Sequence, residues 1–174
     1  MSYTKDQIIR DTQRVLNDNY ISDPPVNIYE IAKNYGFVVE EQIMPPKHSN
    51  VSGFITIENG IPHLVINASD TQNRKNFTVA HELGHWRLHE KELTTDPALS
   101  VLFRIPLGTL NKDPLEKQAN MFAANILVPE SMLKKKCAEK LTRQELARAF
   151  GVSEEVIGYR LEQTNVSLDI PTQQ

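Results

Sequence analysis

Apolar residues at helical spacing mark the first two elements of the chain. Thr4 and Gln7 form a capping-box pattern, and residues 8–16 then place apolar positions three and four residues apart. Asn27 with Glu30 repeats the capping signal before a second, shorter helix. The N-terminal part of the chain is therefore predicted to be two packing helices.

The strongest strand signal is a pair of alternating runs on either side of Asn59-Gly60. This dipeptide fits a two-residue type I′ turn, so the two runs are predicted to form a hairpin. The turn would place Ile55 opposite Leu64 on an apolar face. Pro62 cannot donate to a strand ladder, and we therefore expect the second strand to begin at a sheet edge.

Residues 77–88 and 115–128 each show the three-and-four spacing of a buried helical face. Gly84 lies inside the first of these helices and costs about 1 kcal/mol relative to alanine. We therefore expect another backbone or a substrate to approach closely there. Residues 91–114 show no sustained periodicity, which is typical either of a lid or specificity loop or of a plain surface excursion.

Composition limits the class of protein. The chain has 174 residues, 40% hydrophobic and 24% charged, which suits one independently folding domain. Its net charge of −3 argues against a strongly basic surface for nucleic acid. The single cysteine, Cys137, excludes an internal disulfide. The polar start is unlike a secretory signal and no apolar run reaches the ~20 residues that span a bilayer, so we expect a cytoplasmic protein without membrane contact.

The candidate chemistry begins at His81 and His85, which lie about 40° apart around a helix and about 6 Å apart along it. Both imidazoles can therefore reach one metal ion. Glu82 lies on the flank of that face, where a carboxylate can reach a metal-bound water without being a ligand. This arrangement suits hydrolysis. The alternative interpretation is that His81 and His85 are core residues whose rings are hydrogen-bonded to backbone carbonyls and bind no metal.

A third ligand is predicted on the helix over residues 115–128. Glu116 and Asn120 lie one turn apart beside its apolar face, as a carboxylate ligand and an orienting amide would. His89 lies eight residues beyond His81, about 12 Å along a straight helix, which is too far for metal bonds of about 2 Å. Three protein ligands leave a fourth position open, which favours a catalytic over a structural zinc site.

Two segments carry a family resemblance. FTVAHELGH at 77–85 and EKQANMFAANILVP at 116–129 resemble the ImmA/IrrE family of bacterial and phage metallopeptidases. The resemblance implies an α+β, zincin-like fold in which a small sheet with the hairpin packs on the HExxH helix. It also implies one Zn²⁺ per chain, bound by His81, His85 and Glu116, with Glu82 as the catalytic base.

The same resemblance implies regulated proteolysis. Family members typically cut a repressor with a helix-turn-helix domain that is often encoded beside them. We therefore expect a zinc endopeptidase with a protein substrate and no direct contact with nucleic acid. The chain is predicted to be one domain, with a catalytic core at 1–129 and a C-terminal helical subdomain at 130–174.

When water attacks a peptide bond, negative charge develops on the carbonyl oxygen, and this oxyanion needs an electrophile besides zinc. Three residues are candidates for that role: His89, Tyr159 and Arg160. Glu82 would take a proton from the attacking water and deliver it to the leaving amine. The sequence alone does not choose among the three candidates.

The C-terminal segment supports a rival hypothesis. Thr142 with Glu145 caps one predicted helix and Ser153 caps the next, a pattern typical of a helix-turn-helix. The second helix begins with Glu154-Glu155, which would repel phosphate, so we interpret these helices as scaffold or partner-docking surface. The alternative function is a non-catalytic, zinc-containing regulatory module that binds protein or DNA through them.

Overall fold

The computed structural model describes residues 3–95 and 113–168, and the side chains of all of these except 90–95. That part of the chain is a mixed α+β structure with seven α-helices, one three-stranded sheet and a short 3-10 turn at Pro46–His48. None of the described helices combines the length and apolar character needed to cross a membrane. The helices are α1 (Lys5–Asp18), α2 (Ile28–Asn34), α3 (Gln72–Thr95), α4 (Pro114–Leu127), α5 (Glu130–Ala138), α6 (Arg143–Phe150) and α7 (Glu154–Thr164), and the strands are β1 (Val38–Gln42), β2 (Gly53–Glu58) and β3 (Ile61–Asn67).

The helix starts predicted from capping residues are confirmed. The Thr4 N–H donates to Gln7 Oε1 at 2.8 Å, and the Thr4 hydroxyl oxygen accepts from the Gln7 N–H at 3.3 Å. Thr142 and Glu145 form the same reciprocal pair at the start of α6. At the start of α2, Asn27 accepts the backbone N–H of the residue three positions on. Each pair satisfies backbone donors that the first helical turn leaves without partners.

The predicted hairpin is confirmed together with its register. Asn59 has φ 51° and Gly60 has φ 80°, so both turn residues are in the left-handed region that a type I′ turn requires. Ile55 lies opposite Leu64, as the two-residue loop dictates. Leu64 is fully buried and belongs to the same core as Val79 and Leu83 of α3, so one face of the sheet packs on that helix.

The expectation that the second strand begins at a sheet edge is wrong for the strand as a whole. The strand order is β1-β3-β2, so β3 is central, parallel to β1 and antiparallel to β2. Pro62 pairs with Ile57 of β2, and the ladder to β1 begins one residue later, where His63 lies opposite Val38. The missing N–H of Pro62 therefore falls outside the ladder with β1, where it costs no hydrogen bond.

Gly84 allows close contact between α3 and α4. A Cβ at this position would lie 3.0 Å from Cδ1 and 3.1 Å from Cβ of Phe122, whose side chain is fully buried. The expectation that a backbone or substrate approaches Gly84 is therefore wrong. The close neighbour is an aromatic side chain, and the glycine provides the space that this ring occupies.

The assumption of a straight helix through His89 is also wrong. Backbone angles at His89 are φ −130° and ψ 18°, so α3 is kinked there. The helix then continues to Thr95, which makes the first residues of the predicted lid helical. The rest of that lid, residues 96–112, lies outside the described residues, and the lid stays a prediction.

The turn between α6 and α7 is bound to the N-terminal part of α3. Asn76 Nδ2 donates to the Gly151 carbonyl and Asn73 Nδ2 donates to the Val152 carbonyl, both at 2.9 Å. These bonds join the C-terminal helices to the helix that carries the two candidate ligands. A helix-turn-helix geometry and a domain boundary at residue 129 both stay predictions.

Gly84→Val should destabilise the metal-free protein by about 1–3 kcal/mol, because the added methyl groups overpack the Phe122 ring. Unfolding in urea measures this loss. Adding Phe122→Leu should relieve the crowding, so the double variant should lose less stability than the sum of the single variants. Additive losses would contradict a direct contact between these two positions.

Candidate metal centre

Three side chains predicted as ligands meet in one buried pocket. His81 Nε2 lies 3.3 Å from Glu116 Oε2, His85 Nε2 lies 3.1 Å from Glu116 Oε1, and the two Nε2 atoms are 3.0 Å apart. One possible ligand atom from each residue lies within 4.8 Å of the others. Among the side chains that the structure describes, this is the group of three or more that could bind a metal ion.

Each ligand candidate is positioned by a regular helix. His81 and His85 lie one turn apart on α3, so their rings project from the same face. Glu116 lies in the first turn of α4, which starts at Pro114 and is capped by Asp113 Oδ1 accepting the Leu115 N–H at 2.8 Å. The positive end of the helix dipole favours a carboxylate at that position.

Asn120 contacts His81 on the side away from the pocket. His81 Nδ1 lies 2.9 Å from Asn120 Oδ1. Because the amide oxygen only accepts, His81 Nδ1 must donate, which in the neutral ring leaves the lone pair of Nε2 facing the pocket. The structure thus brings Asn120 to the place expected of an orienting amide.

The charges in the pocket suit a cation. Burial alone would raise the pKa of the Glu116 carboxyl, but the facing ring nitrogens of His81 and His85 hold it well below its usual range. Burial lowers the pKa of His85 to about 3, so this ring is neutral at physiological pH. The pKa of His81 is raised despite its burial, because it faces Glu116 and Glu82. An ionised carboxylate and two imidazoles form a donor set that a divalent metal prefers.

Glu82 is buried beside these ligand candidates and has an unpaired oxygen. Its side chain is 4% exposed, and its Oε2 has no hydrogen-bond partner in the part of the chain that the structure describes. Burial raises the pKa of Glu82 to about 7, with opposing effects from His81, which lowers it, and Glu116, which raises it. An unpaired buried carboxylate costs free energy unless a water or cation satisfies it, so the residues present fit a hydrated metal ion.

His89 is fully buried and lies behind His85, on the side opposite Glu116. Its Nδ1 is 3.3 Å from His85 Nδ1, and its Nε2 is 3.0 Å from Gln118 Oε1. These contacts place His89 on the far side of His85 from Glu116, and its role as an electrophile stays a prediction. Sequence reasoning missed Gln118, and no periodicity along α4 pointed to it.

Arg160, another candidate electrophile, is engaged elsewhere. Its Nε donates to the Val128 carbonyl at 2.9 Å, and its side chain is almost fully buried. Val128 ends α4, and the helix from position 116 to position 128 is about 18 Å long. The Arg160 Nε contact therefore lies at the far end of the helix from Glu116, and the role of Arg160 as an electrophile stays a prediction. Tyr159 is 38% exposed on α7, and its role stays a prediction.

Comparison with known proteins identifies the family. The sequence profile of a peptidase family, described as IrrE N-terminal-like domain, matches residues 32–162. That match covers well over half of the chain and includes both helices of the pocket. The chain therefore belongs to this family, and the resemblance to ImmA/IrrE metallopeptidases is confirmed.

Two relatives agree with this assignment, and one solved structure shares the fold. Metallopeptidase ImmA of Bacillus subtilis (strain 168) is 24% identical over 139 residues, which cover 79% of this chain and 76% of the relative. Uncharacterized immunity region protein 2 of Bacillus phage phi105 is 27% identical over 145 residues, covering 83% and 82%. A structure described as Mycobacterium tuberculosis transcriptional regulator matches the fold with a TM-score of 0.62 and 19% identity. The match covers 98% of this chain and 49% of that protein, so this chain spans about half of its length.

Glu82→Gln should stabilise the metal-free protein at pH 8. The pKa of Glu82 is raised from 4.5 to about 7 in the folded state, so the wild type loses stability as pH rises through this window. The amide has no charge to bury, and the variant should gain roughly 1–3 kcal/mol at pH 8 and almost nothing below pH 4.5.

Urea unfolding at both pH values measures the difference. The control is Glu58→Gln, which removes the same charge from an exposed position on β2. Equal stabilisation by both variants would show that net charge, and not the burial of Glu82, is responsible.

Proposed function

We propose that the chain is a zinc-dependent endopeptidase that cuts a protein substrate at a specific site. The observation that carries this proposal is the convergence of His81, His85 and Glu116 beside the unpaired, buried Oε2 of Glu82. Membership in a peptidase family supports it independently of the geometry. Ligands and base lie on two packed helices, which makes the site rigid before substrate arrives.

His81 and His85 would bind the metal through Nε2 and Glu116 through its carboxylate. Bound zinc would supply a Lewis acid that polarises the scissile carbonyl and lowers the pKa of a water toward ~7. Glu82 takes a proton from the attacking water and gives it to the leaving amine. Burial raises the pKa of Glu82 to about 7 in the metal-free protein, and a cation bound beside it would lower the pKa from that value. Asn120 keeps the His81 ring in the metal-binding orientation.

The number of ligands favours a catalytic over a structural metal. Structural zinc is normally held by four protein ligands, whereas a catalytic site keeps one position open. The group that converges within the described residues contributes three. A peptide substrate could bind extended along β1, which is an outer strand of the sheet formed by the described residues. Tyr159, which is exposed on α7, is one candidate for stabilising the oxyanion.

We further propose that the substrate is a repressor with a helix-turn-helix domain, encoded near this chain. One relative is named for a phage immunity region, and the fold neighbour is named as a transcriptional regulator. Both names fit control of transcription by removal of a repressor. In this role the C-terminal helices serve as scaffold or docking surface for the substrate.

A non-catalytic, zinc-containing module that binds protein or DNA is the alternative. Backbone carbonyls in the turn between α6 and α7 accept hydrogen bonds from Asn73 and Asn76 of α3. Helix α7 then begins with two acidic residues, Glu154 and Glu155. A recognition helix for DNA would instead present cationic or neutral polar groups to the phosphates. The structure therefore supports peptidase activity better than DNA binding.

Purified wild-type protein should contain about one zinc per chain and cleave the neighbouring repressor. Glu116→Ala should lose zinc and cleavage together, because it removes a ligand. Glu82→Gln should keep the zinc and lose cleavage by about 100-fold or more, because it removes the proton carrier. Elemental analysis and a gel-based cleavage assay on the same samples measure both properties.

Two results would contradict these assignments. Loss of zinc in Glu82→Gln would make Glu82 a ligand instead of the base. Zinc retained at wild-type affinity in Glu116→Ala would exclude Glu116 as the third ligand.

A further inference from the structure

A chain of polar atoms runs from His85 into the protein interior, away from the metal pocket. His85 Nδ1 lies 3.3 Å from His89 Nδ1, and His89 Nε2 lies 3.0 Å from Gln118 Oε1. The same Gln118 oxygen accepts the backbone N–H of Tyr3 at 3.3 Å. Both histidines are fully buried and Gln118 is 7% exposed, so these contacts form away from solvent.

The Tyr3 contact determines where the ring protons lie. A backbone N–H can only donate, so the Gln118 atom that it contacts must be the amide oxygen. That oxygen only accepts, and His89 Nε2 must therefore donate to it. A neutral imidazole that donates from one nitrogen accepts at the other. His89 Nδ1 is thus the acceptor, and His85 Nδ1 donates to it.

This proton arrangement suits the pocket. With its proton on Nδ1, neutral His85 presents a lone pair at Nε2, 3.1 Å from Glu116 Oε1. A ring lone pair and a carboxylate oxygen repel each other at this distance unless a bound cation satisfies both, so this tautomer belongs to the metal-bound state. Metal-bound histidines usually donate their second ring nitrogen in this way, which fixes tautomer and orientation. If His85 instead carried its proton on Nε2, its Nδ1 would accept and His89 would have to donate from Nδ1. His89 Nε2 would then place a lone pair against the lone pairs of Gln118 Oε1.

We propose that His89 and Gln118 are positioning residues that hold His85 in its metal-binding tautomer. The inference rests on the proposed metal centre and extends it to two residues that are not among its proposed ligands. The two ligand histidines then have different supports. Asn120 contacts His81 directly, whereas the support for His85 passes through a second ring before it reaches α4.

Two substitutions at position 89 separate positioning from packing. His89→Leu keeps most of the side-chain volume but removes the acceptor for His85 Nδ1. His89→Asn packs less well, yet its Oδ1 lies near the former Nδ1 and can accept the same N–H. A purely structural role predicts that Leu is tolerated better than Asn. The positioning role predicts the opposite order for metal affinity.

The Kd for Zn²⁺ is measured by competition with a chromophoric chelator, at a temperature where urea unfolding shows each metal-free variant to be folded. His89→Leu should weaken zinc binding about 10–100-fold, and His89→Asn should restore most of the affinity. Gln118→Leu should also weaken binding, because His89 Nε2 then loses the amide oxygen that accepts its proton. Wild-type affinity in His89→Leu, or equal losses in the Leu and Asn variants, would overturn the proposal.

A second measurement does not depend on cleavage. Histidine-ring ¹H–¹⁵N correlation spectra of the zinc-bound wild type should show the His85 proton on Nδ1 and the His89 proton on Nε2. Gln118→Leu should change this pattern. A His85 proton on Nε2 in the wild type would overturn the proposal. A chain that has the expected ring protons and binds zinc but cuts no repressor would contradict the proposed function alone.

Discussion

The contact between α3 and α4 is the interaction on which the site depends. Two ligand candidates lie on one helix and the third lies on the other, and metal bonds of about 2 Å tolerate little change in their separation. Gly84 and Phe122 set this separation by allowing a ring to pack directly against the α3 backbone. Packing in the hydrophobic core therefore positions Glu116 relative to the two imidazoles, and chemistry at the site depends on a contact between groups that have no chemical role.

The pocket formed in this way is electrostatically costly without a cation. Glu116 is ionised within a mostly apolar region and is stabilised by the two histidines. Glu82 has no such partner for its Oε2 among the described residues. A well-packed protein normally leaves few buried polar groups unsatisfied, and exceptions concentrate at functional sites. Burial of Glu82 makes its ionised form costly, and the same burial raises its pKa, which suits the base that we propose it to be.

The C-terminal helices support both helices of the pocket. Arg160 of α7 donates to the Val128 carbonyl at the C-terminal end of α4, where the last carbonyls of a helix need donors. Asn73 and Asn76 tie the N-terminal part of α3 to the turn before α7. A segment whose sequence resembles a DNA-binding motif therefore contributes to the placement of the two helices that form the site.

The sequence by itself determined the features that depend on short-range geometry. Caps at Thr4 and Thr142, the register of the Asn59-Gly60 hairpin and the shared face of His81 and His85 all follow from periodicity within a few residues. Only the tertiary structure decided the central place of β3, the neighbour of Gly84 and the location of Arg160, because each depends on residues distant in the chain. Gln118 shows this most clearly. It lies about 160° around α4 from Glu116, so no helical pattern joins it to the site, and its link to His85 exists only because the kinked end of α3 brings His89 against it.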